Sequence, residues 1–160
     1  MSVASNPPAV IDDDEFTVSR TIQIAAPLST VWAAITEPKH LARWFGQTAA
    51  LDSLAVGARG SVGFEGYGAF PLRIEELDPP RVVAYRWAVR PHDDSATDDE
   101  VFALSTLFRF TLDSSDGGTR LTVVETGFGD LPDPTLSMRD NQGGWTSELD
   151  ELVDYLQGAG

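Results

Sequence analysis

The sequence predicts an α+β fold, in which a curved antiparallel sheet of six to seven strands wraps around a long C-terminal helix. Changes of hydrophobic period along the 160-residue chain lead to this prediction. Residues 16–24 alternate between apolar and polar side chains, residues 27–45 follow helical spacing, and residues 48–128 alternate again. Residues 145–156 then carry one apolar helical stripe, which is stable only when it lies on another element.

The first strand is predicted in the segment FTVSRTIQIAA. Five of its side chains share one face: Phe16, Val18, Arg20, Ile22 and Ile24. Residues 1–14 are polar, acidic and proline-containing, so they are predicted to form a disordered tail. Residues 15–158 are predicted to form a single domain.

Two short helices are predicted after the first strand. Pro27 suits the first turn of one helix, and Pro38 both ends that helix and begins a second one. Trp44 and Phe45 end the second helix. They are expected at the opening between helices and sheet, where they would cap the core or act as a gate.

The alternating segments of residues 48–128 are joined by turns, so they are predicted to pair in order as a meander. One face of such a sheet has to be covered by another element. The C-terminal helix is expected to cover it with an inner stripe that includes Trp145, Leu149 and Leu152. Glu148 belongs to the acidic residues expected on the outer side of that helix.

Charge and composition exclude several kinds of partner. The chain has 11 Lys and Arg against 25 Asp and Glu, which gives a net charge of −14. This field repels phosphate backbones, so no nucleic-acid partner is predicted. No apolar stretch has the length of a membrane span, and the N-terminus lacks the pattern of a secretory signal. A cytoplasmic protein is therefore expected.

No metal or cofactor site is predicted. The two histidines, His40 and His92, are expected to be solvated, and the chain has no cysteine. The acidic run DDSATDDE lacks the spacing of a calcium loop. The glycine-rich segment GARGSVGFEGYG lacks the lysine and the following helix of a phosphate loop, and no GxSxG elbow is present.

Four segments together resemble a known family. They are APLSTVWAAITEPKHLARWF, GAFPLRIEELDPPRVVAYRW, STLFRFTLDSSDGGTRLTVVETGF and GGWTSELDELVDYL. In this order and spacing they resemble the helix-grip superfamily of Bet v 1-like allergens, START lipid-transfer domains and polyketide cyclases. Within it, the chain looks most like the proteins related to the activator of Hsp90 ATPase. The resemblance covers residues 16–157 and implies a sheet gripping the C-terminal helix, often around an apolar cavity.

The inward faces of the strands and helix supply the candidate cavity wall. The alternative is that these side chains, most of them aromatic, simply pack the core. The candidate ligand-binding residues are Trp44, Phe45, Phe64, Phe70, Ile74, Tyr85, Trp87, Thr106, Phe108, Phe110, Val123, Glu125, Trp145 and Leu149.

Glu125 is the charged member of this set. It shares strand parity with Leu121 and Val123, so its side chain is predicted to point inward. A buried carboxylate is costly unless it is paired or protonated. It is either a polar anchor or general base in the cavity, or a rim residue paired with an arginine. The candidate arginines are Arg73, Arg86 and Arg109.

Three functional hypotheses follow. The leading one is a protein that binds an apolar or aromatic small molecule under the C-terminal helix, without a cofactor or an evident catalytic group. The second is a cyclase- or hydrolase-like enzyme, with Glu125 as acid or base and Tyr85 as an electrophilic partner. The third is an interaction module for a chaperone, another protein or a second copy of the chain, with a filled cavity and an exposed apolar patch.

Overall fold

The computed structural model describes residues 6–91 and 95–157. His92 and the predicted tail residues 1–5 lie outside them, as does residue 158. The first half of the chain forms β1 (Val10–Asp12), β2 (Thr17–Ile24), α1 (Leu28–Thr36), α2 (Pro38–Trp44), β3 (Thr48–Leu51), β4 (Arg59–Phe64), β5 (Gly68–Asp78) and β6 (Val82–Ala88). The second half forms α3 (Asp98–Val101), β7 (Ser105–Ser115), β8 (Gly118–Thr126), a 3-10 turn (Phe128–Asp130) and α4 (Pro134–Gln157).

The strands form one antiparallel sheet in the order β1-β2-β8-β7-β6-β5-β4-β3. Strands β3 to β8 pair in sequence, which is the predicted meander, and β2 closes onto β8. The α+β class, the curved antiparallel sheet, the two short helices and the long C-terminal helix are confirmed. The fold therefore has one concave face, and α4 lies on it.

The sheet has eight strands rather than six to seven, and one of them lies in the predicted tail. Strand β1 pairs with β2, with Val10 opposite Ser19. Ala9 is buried, and its backbone N–H donates to Thr146 Oγ1 at 3.0 Å. A strand of three residues is too short to show a period, so its ordering depends on contacts with β2 and α4. The structure thus corrects the prediction of a disordered tail for the described part of residues 1–14.

Pro38 separates α1 from α2 as predicted. It occupies the start of α2, where a missing backbone N–H costs nothing. The residue before it, Glu37, is extended, with φ −94° and ψ 127°. A proline disfavours the helical conformation of the residue that precedes it, which explains the break.

The strand register places one row of side chains across the middle of the concave face. Val18 pairs with Glu125, Glu125 with Phe108, Phe108 with Tyr85, and Tyr85 with Ile74. All five residues are buried. Because residues directly opposite each other on neighbouring strands share a face, Glu125 lies in the centre of the core rather than at its rim.

A buried arginine links α4 to the other end of the sheet. Arg20 on β2 is 3% exposed. Its guanidinium donates to Thr146 O at 2.9 Å and forms an ion pair with Asp150 at 2.7 Å, and its Nε donates to Pro7 O at 2.8 Å. Helix α4 is thereby held against β2 and the N-terminal segment.

Candidate functional site

A pocket of about 720 Å³ opens between the first turns of α4 and strands β4 to β7. This main pocket has a largely apolar wall. Its aromatic and aliphatic side chains include Phe64, Tyr67, Phe70, Trp87, Phe128 and Leu131. Thr106, Asn141 and Gly144 also line it. Ligand sites in proteins commonly have this size and this composition.

A smaller side pocket of about 100 Å³ adjoins the main one. The two share Phe64, Trp87, Asn141 and Gly144. Residues that line only the side pocket are Phe45, Trp145 and Glu148. The shared wall residues make the two pockets parts of one site beside α4.

The structure brings six of the predicted site residues to these pockets. They are Phe45, Phe64, Phe70, Trp87, Thr106 and Trp145. Thr106, Trp87 and Trp145 lie against Glu125, which is completely buried directly behind the pocket wall.

Besides Glu125, seven more of the predicted site residues line neither pocket. They are buried in the packed core: Trp44, Ile74, Tyr85, Phe108, Phe110, Val123 and Leu149. Trp44 is 1% exposed and its Nε1 donates to Ala34 O at 2.7 Å, so it caps the core rather than forming a gate. Side-chain parity identifies inward residues, but it does not distinguish a cavity wall from a filled core.

Aromatic rings fill the middle of the concave face. The centroid of the Phe108 ring lies 5.2 Å from that of Trp145, 5.3 Å from that of Tyr85, 5.5 Å from that of Trp87 and 5.8 Å from that of Phe45. These separations and the mostly tilted or edge-on geometries are favourable for aromatic pairs. The centre of the concave face is therefore filled by side chains, and the main pocket lies beside this aromatic cluster.

Glu125 accepts hydrogen bonds from four side chains. Trp145 Nε1 donates to its Oε1 at 2.7 Å, and Trp87 Nε1 donates to its Oε2 at 3.2 Å. Asn141 Nδ2 donates to both carboxylate oxygens, at 2.9 and 3.0 Å, and the Thr106 hydroxyl donates to Oε2. Burial raises the pKa of Glu125 above its ordinary value, and the four donors partly oppose this shift.

No arginine pairs with Glu125 among the described residues. The three candidates lie on the opposite face of the sheet: Arg73 and Arg86 bind Glu75 at 2.8 and 3.0 Å, and Arg109 binds Glu76 at 2.8 Å. The alternative in which Glu125 pairs with one of these arginines at the rim is therefore wrong. A buried carboxylate is instead satisfied by neutral donors, which join β6, β7, β8 and α4 at one point.

Tyr85 is not a partner of Glu125. Its hydroxyl donates to Ile35 O on α1 at 2.7 Å, and the side chain is 1% exposed. Burial raises the pKa of the Tyr85 hydroxyl. This arrangement anchors α1 to the sheet and gives Tyr85 no access to a pocket occupant.

Asn141, Gly144 and Glu148 were missed as site residues by the sequence reasoning. The signal that could have found them is the helical spacing, since Asn141 and Glu148 lie four residues before and three after Trp145. The helix begins at Pro134, so this spacing extends the inner stripe backwards from Trp145. Glu148, expected on the acidic outer side, is half-buried against the side pocket.

Replacing Glu148 by Gln is expected to remove a pH dependence of stability. Burial and the nearby Glu151 carboxylate raise the pKa of Glu148 to about 8 in the folded chain. In the unfolded chain the pKa returns to its ordinary value, so the folded chain holds the extra proton between the two values. The free energy of unfolding of the wild type, relative to Glu148→Gln, is therefore expected to fall as the pH rises from about 5 to about 8.

Urea denaturation of both proteins at several pH values measures this difference. Asp154→Asn, which neutralises an exposed carboxylate on the same helix, serves as the control. A difference between wild type and Glu148→Gln that does not change with pH would contradict the expected titration.

The sequence predicted a solvated His40, but in the structure this side chain contacts α4. Its Nδ1 lies 2.7 Å from Tyr155 Oη on α4, and its side chain is 28% exposed. In the described part of the chain, no three His, Asp or Glu side chains gather into a set that could hold a metal ion.

Comparison with known proteins places this architecture in a family. Residues 25–157 match the profile of the activator of Hsp90 ATPase homolog 1-like proteins. The chain belongs to this family. The AHSA1-like match covers the two short helices, the meander and the C-terminal helix, which confirms the resemblance of the four sequence segments. No curated protein sequence matches the chain at a significant level.

Solved structures share the AHSA1-like fold. Protein MLL2253 from Mesorhizobium loti is 25% identical, with a TM-score of 0.74 over 90% of this chain and 98% of that chain. The Aha1 dimer from Colwellia psychrerythraea is 21% identical, with a TM-score of 0.66 over 90% of this chain and 98% of that chain. DynU16, from the dynemicin biosynthetic locus, is 24% identical, with a TM-score of 0.68 over 88% of this chain and 47% of that chain.

Within residues 6–91 and 95–157, no helix has both the length and the apolar character needed to cross a bilayer.

Proposed function

We propose that this protein binds a mainly apolar small molecule with aromatic character in the main pocket. The observation that carries the proposal is the pocket itself, with a volume of about 720 Å³ and a wall of aromatic side chains. Phe64, Phe70 and Trp87 form one continuous aromatic surface, with ring centroids 5.9 to 6.2 Å apart. Such a surface favours a flat ring system, because rings gain from stacked and edge-on contacts beyond the burial of area.

The charges around the pocket favour a neutral or cationic ligand. Glu65 and Asp140 line the main pocket, and Glu148 lines the side pocket. Among the described residues that line either pocket, none is Lys or Arg. The net charge of −14 acts in the same direction, since it disfavours the approach of an anion.

Filling the pocket from Gly144 tests the proposal. Gly144 lines both pockets, and a Cβ added there meets no atom within 4 Å. Gly144→Phe is expected to place a ring in the ligand site and to weaken binding of N-phenyl-1-naphthylamine, a neutral aromatic probe, at least about tenfold. Fluorescence titration of the probe measures the affinity, and the nearby Trp87 and Trp145 give a second signal.

Gly143→Phe is the matched control. Gly143 is the preceding residue of the same helix, its added Cβ also meets open space, and it lines neither pocket. Both variants replace a helical glycine, so both are expected to keep α4 intact. Equal affinities in wild type, Gly143→Phe and Gly144→Phe would place binding elsewhere, and no binding by wild type would count against the proposal for this chemical class.

A cyclase- or hydrolase-like activity is the second candidate, and the buried Glu125 is the observation that favours it. Its pKa is raised, as a general acid requires. Thr106, Trp87 and Asn141 stand between the carboxylate and the main pocket, so a substrate would contact these side chains first. Contact with a chaperone and formation of a homodimer stay predictions.

A further inference from the structure

We propose that the polar end of the ligand carries a hydrogen-bond donor, a hydroxyl or N–H group, which Asn141 Oδ1 accepts while Glu125 fixes the direction of the Asn141 amide. This inference rests on the proposed function, because it specifies what the main pocket selects. It assigns Asn141 as the residue that contacts the ligand and Glu125 as its positioning residue.

The Asn141 amide has one direction, with its nitrogen towards Glu125. Its Nδ2 lies 2.9 Å from Glu125 Oε1 and 3.0 Å from Oε2. If the amide were reversed, Oδ1 would face the ionised carboxylate, and two acceptors would meet without a proton between them. The carboxylate therefore fixes which end of the amide is the donor and which is the acceptor.

Glu125 cannot turn away from Asn141. Trp145 Nε1 and Trp87 Nε1 can only donate, and both hold the carboxylate from other directions. The Thr106 hydroxyl adds a further hydrogen bond, and the carboxylate is completely buried. Each of these partners comes from a different strand or helix, so the orientation is enforced by the packed fold.

The free end of the Asn141 amide lies at the pockets. Asn141 lines both the main pocket and the side pocket, and its side chain is half-buried. Within the described part of the chain, no group donates a hydrogen bond to Asn141 Oδ1. A carbonyl oxygen that is partly removed from water gains when an occupant supplies the missing donor.

The wall opposite this acceptor is aromatic, so the ligand is a ring system with a donor at one end. Phe64 and Trp87 line both pockets beside Asn141, and their rings meet edge-on at 6.2 Å. A ring held by them can direct one substituent towards α4. Phenols and aromatic amines combine the two features, whereas ethers and hydrocarbons of the same shape lack the donor.

A matched series of ligands tests the inference. The probes are 2-naphthol, 2-methoxynaphthalene and 2-methylnaphthalene, which share a ring system and differ in the donor. Wild type is expected to bind 2-naphthol about tenfold more tightly than the other two, as one additional hydrogen bond predicts. Isothermal titration calorimetry measures the three affinities.

Two variants test whether Asn141 is the residue that gives the preference for 2-naphthol. Asn141→Leu is expected to lose the preference for 2-naphthol while it still binds the hydrocarbon. Gln142→Leu is the control, because it removes the neighbouring amide of α4, which donates to Ala9 O at 3.0 Å and lines neither pocket. It is expected to keep the preference. A preference that survives in Asn141→Leu would overturn the assignment.

The remaining outcomes separate this inference from the proposed function. Equal affinities of wild type for the three probes would overturn the inference and leave the proposed function standing. Binding of none of them would overturn both. Nuclear magnetic resonance tests the amide direction without any ligand, through a scalar coupling across the hydrogen bond between Asn141 Nδ2 and the Glu125 carboxyl carbon. Its absence in well-resolved spectra would overturn the positioning role of Glu125.

Discussion

Glu125→Leu is expected to lower the free energy of unfolding by about 2 to 4 kcal/mol. The substitution removes the acceptor shared by four side chains: Trp87, Thr106, Asn141 and Trp145. Trp145 Nε1 is then buried without a partner, and each such donor costs about 1 to 3 kcal/mol. The gain from no longer burying a carboxylate offsets only part of this loss, because the donors remain polar.

Urea denaturation at neutral pH measures this effect. Glu76→Leu is the control, since Glu76 is an exposed glutamate whose main partner is Arg109 at 2.8 Å. Exposed ion pairs contribute about 1 kcal/mol or less, so the control is expected to stay near the wild type. A Glu125→Leu protein as stable as the Glu76→Leu protein would show that the hydrogen bonds around Glu125 add nothing to the fold.

Phe108→Ala is expected to lower the free energy of unfolding by about 3 to 5 kcal/mol. Phe108 is 1% exposed and lies between Tyr85, Trp87 and Trp145. Its removal leaves a void that these rings, held by their own hydrogen bonds, cannot collapse to fill. Lost transfer free energy and the residual cavity then add together.

The same denaturation experiment on Leu136→Ala provides the control. Leu136 also loses an apolar side chain, but it is 55% exposed on α4. A change within about 0.5 kcal/mol is expected there. Comparable losses for the two variants would mean that the aromatic cluster does not carry the stability assigned to it.

The sequence was sufficient for the order of the elements and for the face on which each side chain lies. The period of two in strands and of 3.6 in helices follows from local backbone geometry. The strands of residues 48–128 and the helix α4 could therefore be predicted without knowing which elements they pack against. The inward direction of Glu125 followed from the same parity. Pro38 likewise has a local effect, and the break between α1 and α2 occurs where it predicts.

The partners of those side chains could not be obtained in the same way. Glu125 meets Trp87, which lies 38 residues before it in the chain, and Trp145, which lies 20 residues after it. Neither contact has a local signature. Strand β1 is a similar case, since its three residues pair with β2 and the residue before them, Ala9, binds Thr146 of α4.

The sequence by itself determined an α+β helix-grip domain with an inward carboxylate and an aromatic concave face. Only the tertiary structure decided which of the aromatic residues fill that face and which line a pocket. The reason is the position of α4, which Arg20 holds against β2, so that the helix covers the middle of the sheet. Phe108 is buried there, while Phe70 and Trp87 on the far strands remain open to an occupant.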